Sequence, residues 1–155
     1  MDDPLAQIDA KLAAAVGEVV RGCALGADGV LTVKFGEQGA FRLMIHQSAW
    51  RIETGTTVIA SSQDDRASSE PLVRQLDGRT LTGIVVELPS LSATFAFSDS
   101  LRLKTFSVFT QEAEHWMLHL PDGETFTAGP GTQWTSGPRG SVGAGQAEGQ
   151  DLEGA

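Results

Sequence analysis

Residues 28–45 decide the fold, and they read Asp-Gly-Val-Leu-Thr-Val-Lys-Phe-Gly-Glu-Gln-Gly-Ala-Phe-Arg-Leu-Met-Ile. Apolar residues stand at positions 31, 33 and 35, and again at positions 41, 43 and 45. The residues between them are Thr32, Lys34, Arg42 and Met44. A period of two residues is typical of a strand with one buried face. Asp28-Gly29 supplies the positive φ angles of a tight hairpin, and residues 36–39 offer a second turn. The stretch therefore predicts antiparallel strands joined by short connections.

The same alternation recurs along most of the chain. It predicts further strands ending near Leu25, around Trp50, at 56–60, 84–88, 91–97, 101–103, 116–120 and 124–128. Helical spacing occurs twice, in residues 4–16, where Asp3 is a suitable cap, and in residues 70–76 after a polar loop at 61–69. The predicted fold class is therefore α+β, with mostly antiparallel β structure.

An internal repeat organises these elements. Gly17, Val20 and Gly22 match Gly78, Leu81 and Gly83 at an offset of 61 residues. With a one-residue adjustment, the strand residues at 31, 33, 35, 41 and 43 align with those at 91, 93, 95, 101 and 103. We predict a duplicated helix-plus-four-strand unit, with pseudo-repeats at about 4–60 and 70–128. Each unit is too small to bury its apolar face alone, so the halves must pack together, either as two packed sheets or as one strongly bent sheet.

The chain is expected to form one globular domain over residues 1–134. From residue 135 to 155 it is Gly-rich and acidic, a composition that predicts disorder. Cys23 is the only cysteine, which excludes an intrachain disulfide framework. Because Cys23 lies in an apolar strand, we expect a buried, inert thiol rather than a nucleophile.

Charge limits the classes of partner. The chain has 11 Lys and Arg residues against 20 Asp and Glu residues, a formal net charge of -9. Nucleic acids and anionic membranes are bound mainly through basic side chains, so neither is expected as a partner, whereas a basic protein is favoured. The sequence shows no signal peptide and no apolar stretch of about 18 residues, which predicts a cytoplasmic protein.

Five polar residues are the candidate contacts to a ligand or partner: His46, Glu112, Glu114, His115 and His119. On a strand, His115 and His119 project away from the Trp116 side, roughly 13 Å apart. That distance is too long for one metal ion, so we expect an exposed sheet face and no metal site. His46 lies on the outward side of its own strand, and nothing in the sequence brings it near the other two.

The chain lacks the familiar catalytic patterns. There is no Gly-x-Ser-x-Gly elbow, no glycine-rich nucleotide loop and no calcium-binding series. We therefore assign no catalytic residue, no cofactor and no metal. Whether the chain is an enzyme stays open, with a binding role favoured.

The second half carries four short motifs: Gly78-Arg-Thr-Leu, Trp116-Met-Leu, Pro121-Asp-Gly and Gly129-Pro-Gly. In these it resembles small uncharacterised bacterial domain families, especially actinobacterial ones. Some small acidic families of this kind resemble toxin-neutralising immunity proteins. The motifs are turns and core anchors, so the resemblance implies no catalytic residue, and the first half lacks a Pro-Asp-Gly turn after Trp50.

The sequence is compatible with three functions. The leading hypothesis is a non-enzymatic protein-binding module, immunity-like and directed at a basic partner. The first alternative is a small-ligand-binding or hydrolytic protein with a pocket between the two halves, involving His46, His115 and His119. The second alternative is a structural subunit that assembles through exposed sheet edges.

Overall fold

A computed structural model describes residues 3–108, 110 and 113–138. Within them the chain forms two α-helices, α1 (Pro4–Leu12) and α2 (Arg66–Val73), each continued by a short 3-10 turn. The strands are β1 (Val20–Leu25), β2 (Leu31–Phe35), β3 (Phe41–Ile45), β4 (Ser48–Glu53), β5 (Val58–Ser61), β6 (Leu81–Val86), β7 (Ala93–Phe97), β8 (Arg102–Ser107), β9 (Trp116–His119), β10 (Glu124–Ala128) and β11 (Trp134–Pro138). Neither helix is long and apolar enough to cross a membrane.

The strands form two sheets. A six-stranded sheet has the order β1-β2-β3-β9-β10-β11, and a five-stranded sheet has the order β5-β4-β8-β7-β6. Neighbouring strands run antiparallel throughout both sheets. The inner faces of the two sheets contribute to one hydrophobic core. These observations confirm the predicted α+β class, and the chain forms two packed sheets.

The two halves of the chain exchange strands. The first half places β1 to β3 in the six-stranded sheet and β4 and β5 in the five-stranded sheet. The second half does the opposite, with β6 to β8 in the five-stranded sheet and β9 and β10 in the six-stranded sheet. Each helix also contacts the first strand of the other half: α1 contacts β6, and α2 contacts β1. Neither half therefore builds a complete sheet from its own strands.

Reciprocal backbone hydrogen bonds join the halves where their first strands begin. Gly17 N donates to Leu81 O at 2.7 Å, and Gly78 N donates to Val20 O at 2.9 Å. Gly78 and Leu81 follow Gly17 and Val20 by the same 61 residues. The pattern is the one expected of two units related by a two-fold axis. A common origin of the halves stays a prediction.

The strand ladders differ by two residues from the sequence alignment of the two halves. Leu31 lies opposite Leu25, and Ala93 lies opposite Val86, so Ala93 rather than Leu91 takes the place of Leu31. The difference arises because the turns between the strands differ in length in the two halves. A shift of two residues leaves the same side chains facing the core, which is why the predicted inward faces are still observed.

Among the boundaries that differ from the predictions, two change the extent of the fold most. The second helix begins at Arg66 rather than at residue 70, because the side chain of Asp65 accepts a hydrogen bond from Ser68 N and caps it. The fold also continues beyond residue 134, since β11 pairs with β10 as far as Pro138. The rest of the predicted tail, residues 139–155, lies outside the described residues.

An ion-pair group on the outer face of the five-stranded sheet gives the first testable prediction. Glu53 accepts hydrogen bonds from Arg51 Nε at 2.6 Å and from Arg102 Nη2 at 3.1 Å. The hydrogen bond from Arg51 is the main cause that lowers the pKa of Glu53; Arg102 adds to it and burial opposes it. A carboxylate whose pKa is lower in the folded state stabilises the fold above its ordinary pKa, and this contribution disappears as the pH falls through the folded value.

We therefore expect Glu53→Gln to lose on the order of 1 kcal/mol of stability at neutral pH. The gap to the wild type should close as the pH falls below about 4.3, the ordinary pKa of a glutamate. Urea unfolding at several pH values measures this gap. Exposed Glu37→Gln is the control, and a gap for Glu53→Gln that is constant with pH would contradict the assignment.

Candidate functional site

Six connections lie together at one end of the two sheets. Because successive strands are antiparallel, every second connection returns to the same end. We call this end the loop end, and it comprises the described residues of the connections at 26–30, 46–47, 62–65, 87–92, 108–115 and 129–133. Both halves of the chain contribute connections to it, so any surface there is shared between the halves.

A groove of three adjoining cavities runs across the loop end. The central cavity, of about 280 Å³, is lined in part by His46, Trp50 and Val108. On one side, Val108 also lines a cavity of about 210 Å³ together with Ser107 and His115, which we call the histidine pocket. On the other side, Trp50 also lines a cavity of about 220 Å³, which we call the acidic pocket because it contains two aspartates. The groove therefore draws on the two sheets and on both halves.

The structure brings His46 and His115 together. They follow Ile45 and precede Trp116, which are paired in the β3–β9 ladder. His46 N donates a hydrogen bond to His115 O at 3.0 Å. His46 is half-buried, and His115 is 1% exposed. Their proximity depends on the exchange of β9 into the first half's sheet, which the sequence did not reveal.

The ring of His115 is fixed in one orientation. Its Nε2 lies 3.1 Å from Gly131 O, and a carbonyl oxygen can only accept, so Nε2 carries the hydrogen. In the uncharged ring, Nδ1 is then a hydrogen-bond acceptor. Gly129, at φ +91°, lies directly against the ring, since a Cβ there would be 2.7 Å from His115 Cδ2. The glycine leaves just enough room for the imidazole.

Unpartnered polar atoms are concentrated at the groove. Among the described residues, four buried side-chain polar atoms have no hydrogen-bond partner, and three belong to residues that line it: His46 Nε2, Ser107 Oγ and His115 Nδ1. The fourth is Ser136 Oγ in β11. Each such atom destabilises the fold by about 1–3 kcal/mol through desolvation. Three of them at one groove therefore need an explanation, and binding of a ligand there is one.

The expectation of an exposed histidine face is wrong. His115 is buried beneath the connection that contains Gly129 and Gly131, and His119 is 8% exposed. His119 lies at the far end of β9 from the groove, flanked in register by Arg42 and Thr125, and its Nδ1 is 2.9 Å from Thr125 Oγ1. β9 lies inside the six-stranded sheet, with a neighbouring strand on each side, and this shields its outward side chains.

The remaining residues singled out from the sequence are two glutamates and the cysteine. Glu114 is exposed at the loop end, and Glu112 lies outside the described residues. Cys23 is buried as predicted, and burial is the main cause that raises the pKa of its thiol to about 12. No three His, Cys, Asp or Glu side chains in the described part of the chain are grouped to hold a metal ion.

Carboxylates are frequent in the connections of the loop end. The described residues of the six connections contain five acids and no Lys or Arg, the acids being Asp28, Asp64, Asp65, Glu87 and Glu114. Arg66, the first residue of α2, is the nearby base, and it donates to Leu25 O at 2.8 Å and to Gly26 O at 3.0 Å. This arginine is therefore engaged with the backbone. The loop end carries a strong excess of negative charge.

Sequence reasoning missed several residues of the groove. Ser107 and Val108 follow the strand predicted at 101–103, and nothing in the sequence marks them as a site. The Gly129-Pro-Gly motif predicts a turn, and two glycines around one proline also permit a close backbone approach. That signal could have pointed to the residue packed against it, His115.

No family model, curated protein or solved structure matches the chain. The resemblance of the second half to small bacterial families rests on its turn and core motifs and stays a prediction. Function must therefore be argued from the chemistry of the loop end itself.

Proposed function

We propose that the chain is a protein-binding module that recognises a basic partner through its loop end. The observation that carries this proposal is the five described carboxylates in the connections of the loop end, two of which line the groove, with one nearby arginine already bonded to backbone oxygens. An immunity-like role, in which these carboxylates cover the basic substrate groove of a toxin, is the specific form of the proposal.

The distribution of charge supports this surface over the sheet faces. Six of the ten described Lys and Arg residues lie in strands, whereas two of the fifteen described acids do. The outer face of the six-stranded sheet even places Lys34 opposite Arg42. A basic partner is therefore repelled by the sheet faces and attracted to the ends, since complementary potentials orient an encounter.

The acidic pocket offers a place for a cationic side chain. Asp28, Asp64 and Arg66 contribute to its lining, and Trp50 closes it toward the central cavity. Asp28 Oδ1 accepts from Val30 N at 3.0 Å, and Asp64 Oδ2 accepts from Ser61 N at 3.1 Å. These bonds fix both carboxylates in position, so that a lysine or arginine of the partner would meet preorganised acceptors.

A pair of charge-reversal variants tests the proposal. Glu87→Lys combined with Glu114→Lys alters two exposed acids of the loop end for which no side-chain hydrogen bond is seen. Glu37→Lys combined with Asp77→Lys is the matched control, because it makes the same change in net charge at exposed positions of the opposite end. Binding to an immobilised oligolysine peptide should weaken about tenfold in the first variant, equivalent to about 1.4 kcal/mol, and much less in the control.

Capture from a native lysate extends the same comparison. A basic protein that is retained by the wild type and by the control, and lost by the loop-end variant, would support the proposal. Equal losses in the two charge-reversal variants would show that net charge alone governs binding and would refute a specific loop-end surface.

A further inference from the structure

The geometry points to a second binding function: the histidine pocket is a site for a small uncharged molecule that combines a hydrogen-bond donor with an apolar edge. This site is distinct from the acidic pocket proposed for a basic partner. It lies at the other end of the groove, and its chemistry differs.

The histidine pocket differs in charge from the rest of the loop end. None of the described residues that line the histidine pocket is charged, although the described residues of the loop-end connections include five acids. Taking an ion into such a pocket without a counter-charge would be costly. An uncharged ligand is therefore favoured there.

The unpaired polar atoms of the histidine pocket favour a ligand with a hydrogen-bond donor. With Nε2 of His115 hydrogen-bonded to Gly131 O, the buried Nδ1 is an acceptor without a partner. Ser107 Oγ, also without a partner, can accept or donate. A ligand with a hydroxyl or N–H donor would satisfy these atoms, whereas a purely apolar ligand would leave them unpaired.

The walls and the volume of the histidine pocket restrict the kind of ligand that fits. Pro89 and Val108 supply apolar walls, and Val108 is 62% exposed at the junction with the central cavity. Ser107 Oγ and His115 Nδ1 belong to residues that line the pocket but are shielded from solvent, so side chains of the pocket must move before a ligand reaches these atoms. The volume of about 210 Å³ is below the usual range for drug-sized ligands, which limits the ligand to a small molecule.

Phenol, anisole and benzoate are matched probes. Phenol has an apolar ring and a hydroxyl donor, anisole has the same ring without the donor, and benzoate is an anion. In the 15N-labelled full chain, phenol should shift the amide signals of Ser107 and Val108 and the ring signals of His115, saturating with a dissociation constant on the order of 1 mM. Anisole should bind at least about tenfold more weakly, since it leaves the acceptor unpaired, and benzoate should produce no saturable shift at these residues.

Two pairs of variants locate the site. Val108→Trp should block phenol, and Val85→Trp, at an equally exposed valine of β6, should not. Ser107→Ala should weaken phenol about tenfold and raise the melting temperature, because it removes a buried unpaired hydroxyl. Ser136→Ala removes the unpaired hydroxyl outside the groove, so it should also raise the melting temperature but leave phenol binding unchanged.

The outcomes separate this site from the proposed protein-binding function. Glu87→Lys with Glu114→Lys should leave the phenol titration unchanged, whatever it does to oligolysine binding. Equal affinity for anisole and phenol would overturn the ligand class. Phenol shifts that persist in Val108→Trp, or no saturable shift at His115 in the wild type, would overturn the site.

Discussion

Trp116→Ala is expected to destabilise the protein by about 4 kcal/mol, within the usual range for removing a buried tryptophan. Trp116 is fully buried between the two sheets. Its ring meets Phe95 of the five-stranded sheet edge-on at 5.3 Å, and it lies 5.3 Å from Phe126 of the six-stranded sheet. Its Nε1 also donates to Leu91 O at 3.0 Å, so the variant leaves a buried carbonyl without its partner. Because domains are stable by only about 5–15 kcal/mol, the loss should be large enough to populate unfolded chain under mild conditions.

Two further substitutions make the test specific. Trp116→Phe keeps most of the ring and removes the N–H, so it should lose about 1–3 kcal/mol, in part through the unpaired Leu91 carbonyl. Trp134→Ala removes a tryptophan that is 8% exposed, on the edge strand β11, and stacks on Phe126 at 5.6 Å. Urea unfolding followed by far-UV circular dichroism should place Trp134→Ala clearly between the wild type and Trp116→Ala. If Trp134→Ala and Trp116→Ala lose equal stability, Trp116 is not the central link between the sheets.

The strands were predictable because their signal is local. Alternation at 31, 33 and 35, and again at 93, 95 and 97, is enough to show which side chains face a core, whatever strand lies next to them. The pairing of strands is a different matter, because it is decided by contacts between residues far apart in sequence. Nothing near Trp116 indicates that β9 pairs with β3 of the first half rather than with β8 of its own half.

The candidate site was predictable only in part, for the same reason. His46 and His115 were selected by residue type, but their proximity requires the strand exchange. The alternation around His119 predicts an exposed face, but the neighbouring strands place Arg42 and Thr125 beside it, and His119 is 8% exposed. Local signals can also mislead: Pro71 is compatible with a helix that starts near residue 70, but Asp65 caps the helix five residues before that position.

Gly129→Ala should be a damaging single-methyl change beside the histidine pocket, with a loss of about 3 kcal/mol. Gly129 has φ +91°, which an alanine adopts at a cost of roughly 1–2 kcal/mol. Its new Cβ would also lie 2.7–2.9 Å from three ring atoms of His115, and overpacking of a buried group typically costs about 1–3 kcal/mol more. The ring cannot move away freely, because Nε2 is held at Gly131 O.

Gly123→Ala is the control that separates these two costs. Gly123 also has φ +91°, but a Cβ there meets nothing within 4 Å, so this variant should show the backbone cost alone. Urea unfolding measures both losses, and NMR spectra should show displaced signals at His115, Gly131 and His46 in Gly129→Ala only. Because the histidine pocket depends on that ring orientation, Gly129→Ala should also weaken phenol binding while Gly123→Ala should not. Equal losses of stability in the two variants, with the His115 signals unmoved, would mean that the close approach of Gly129 does not set the position of the ring.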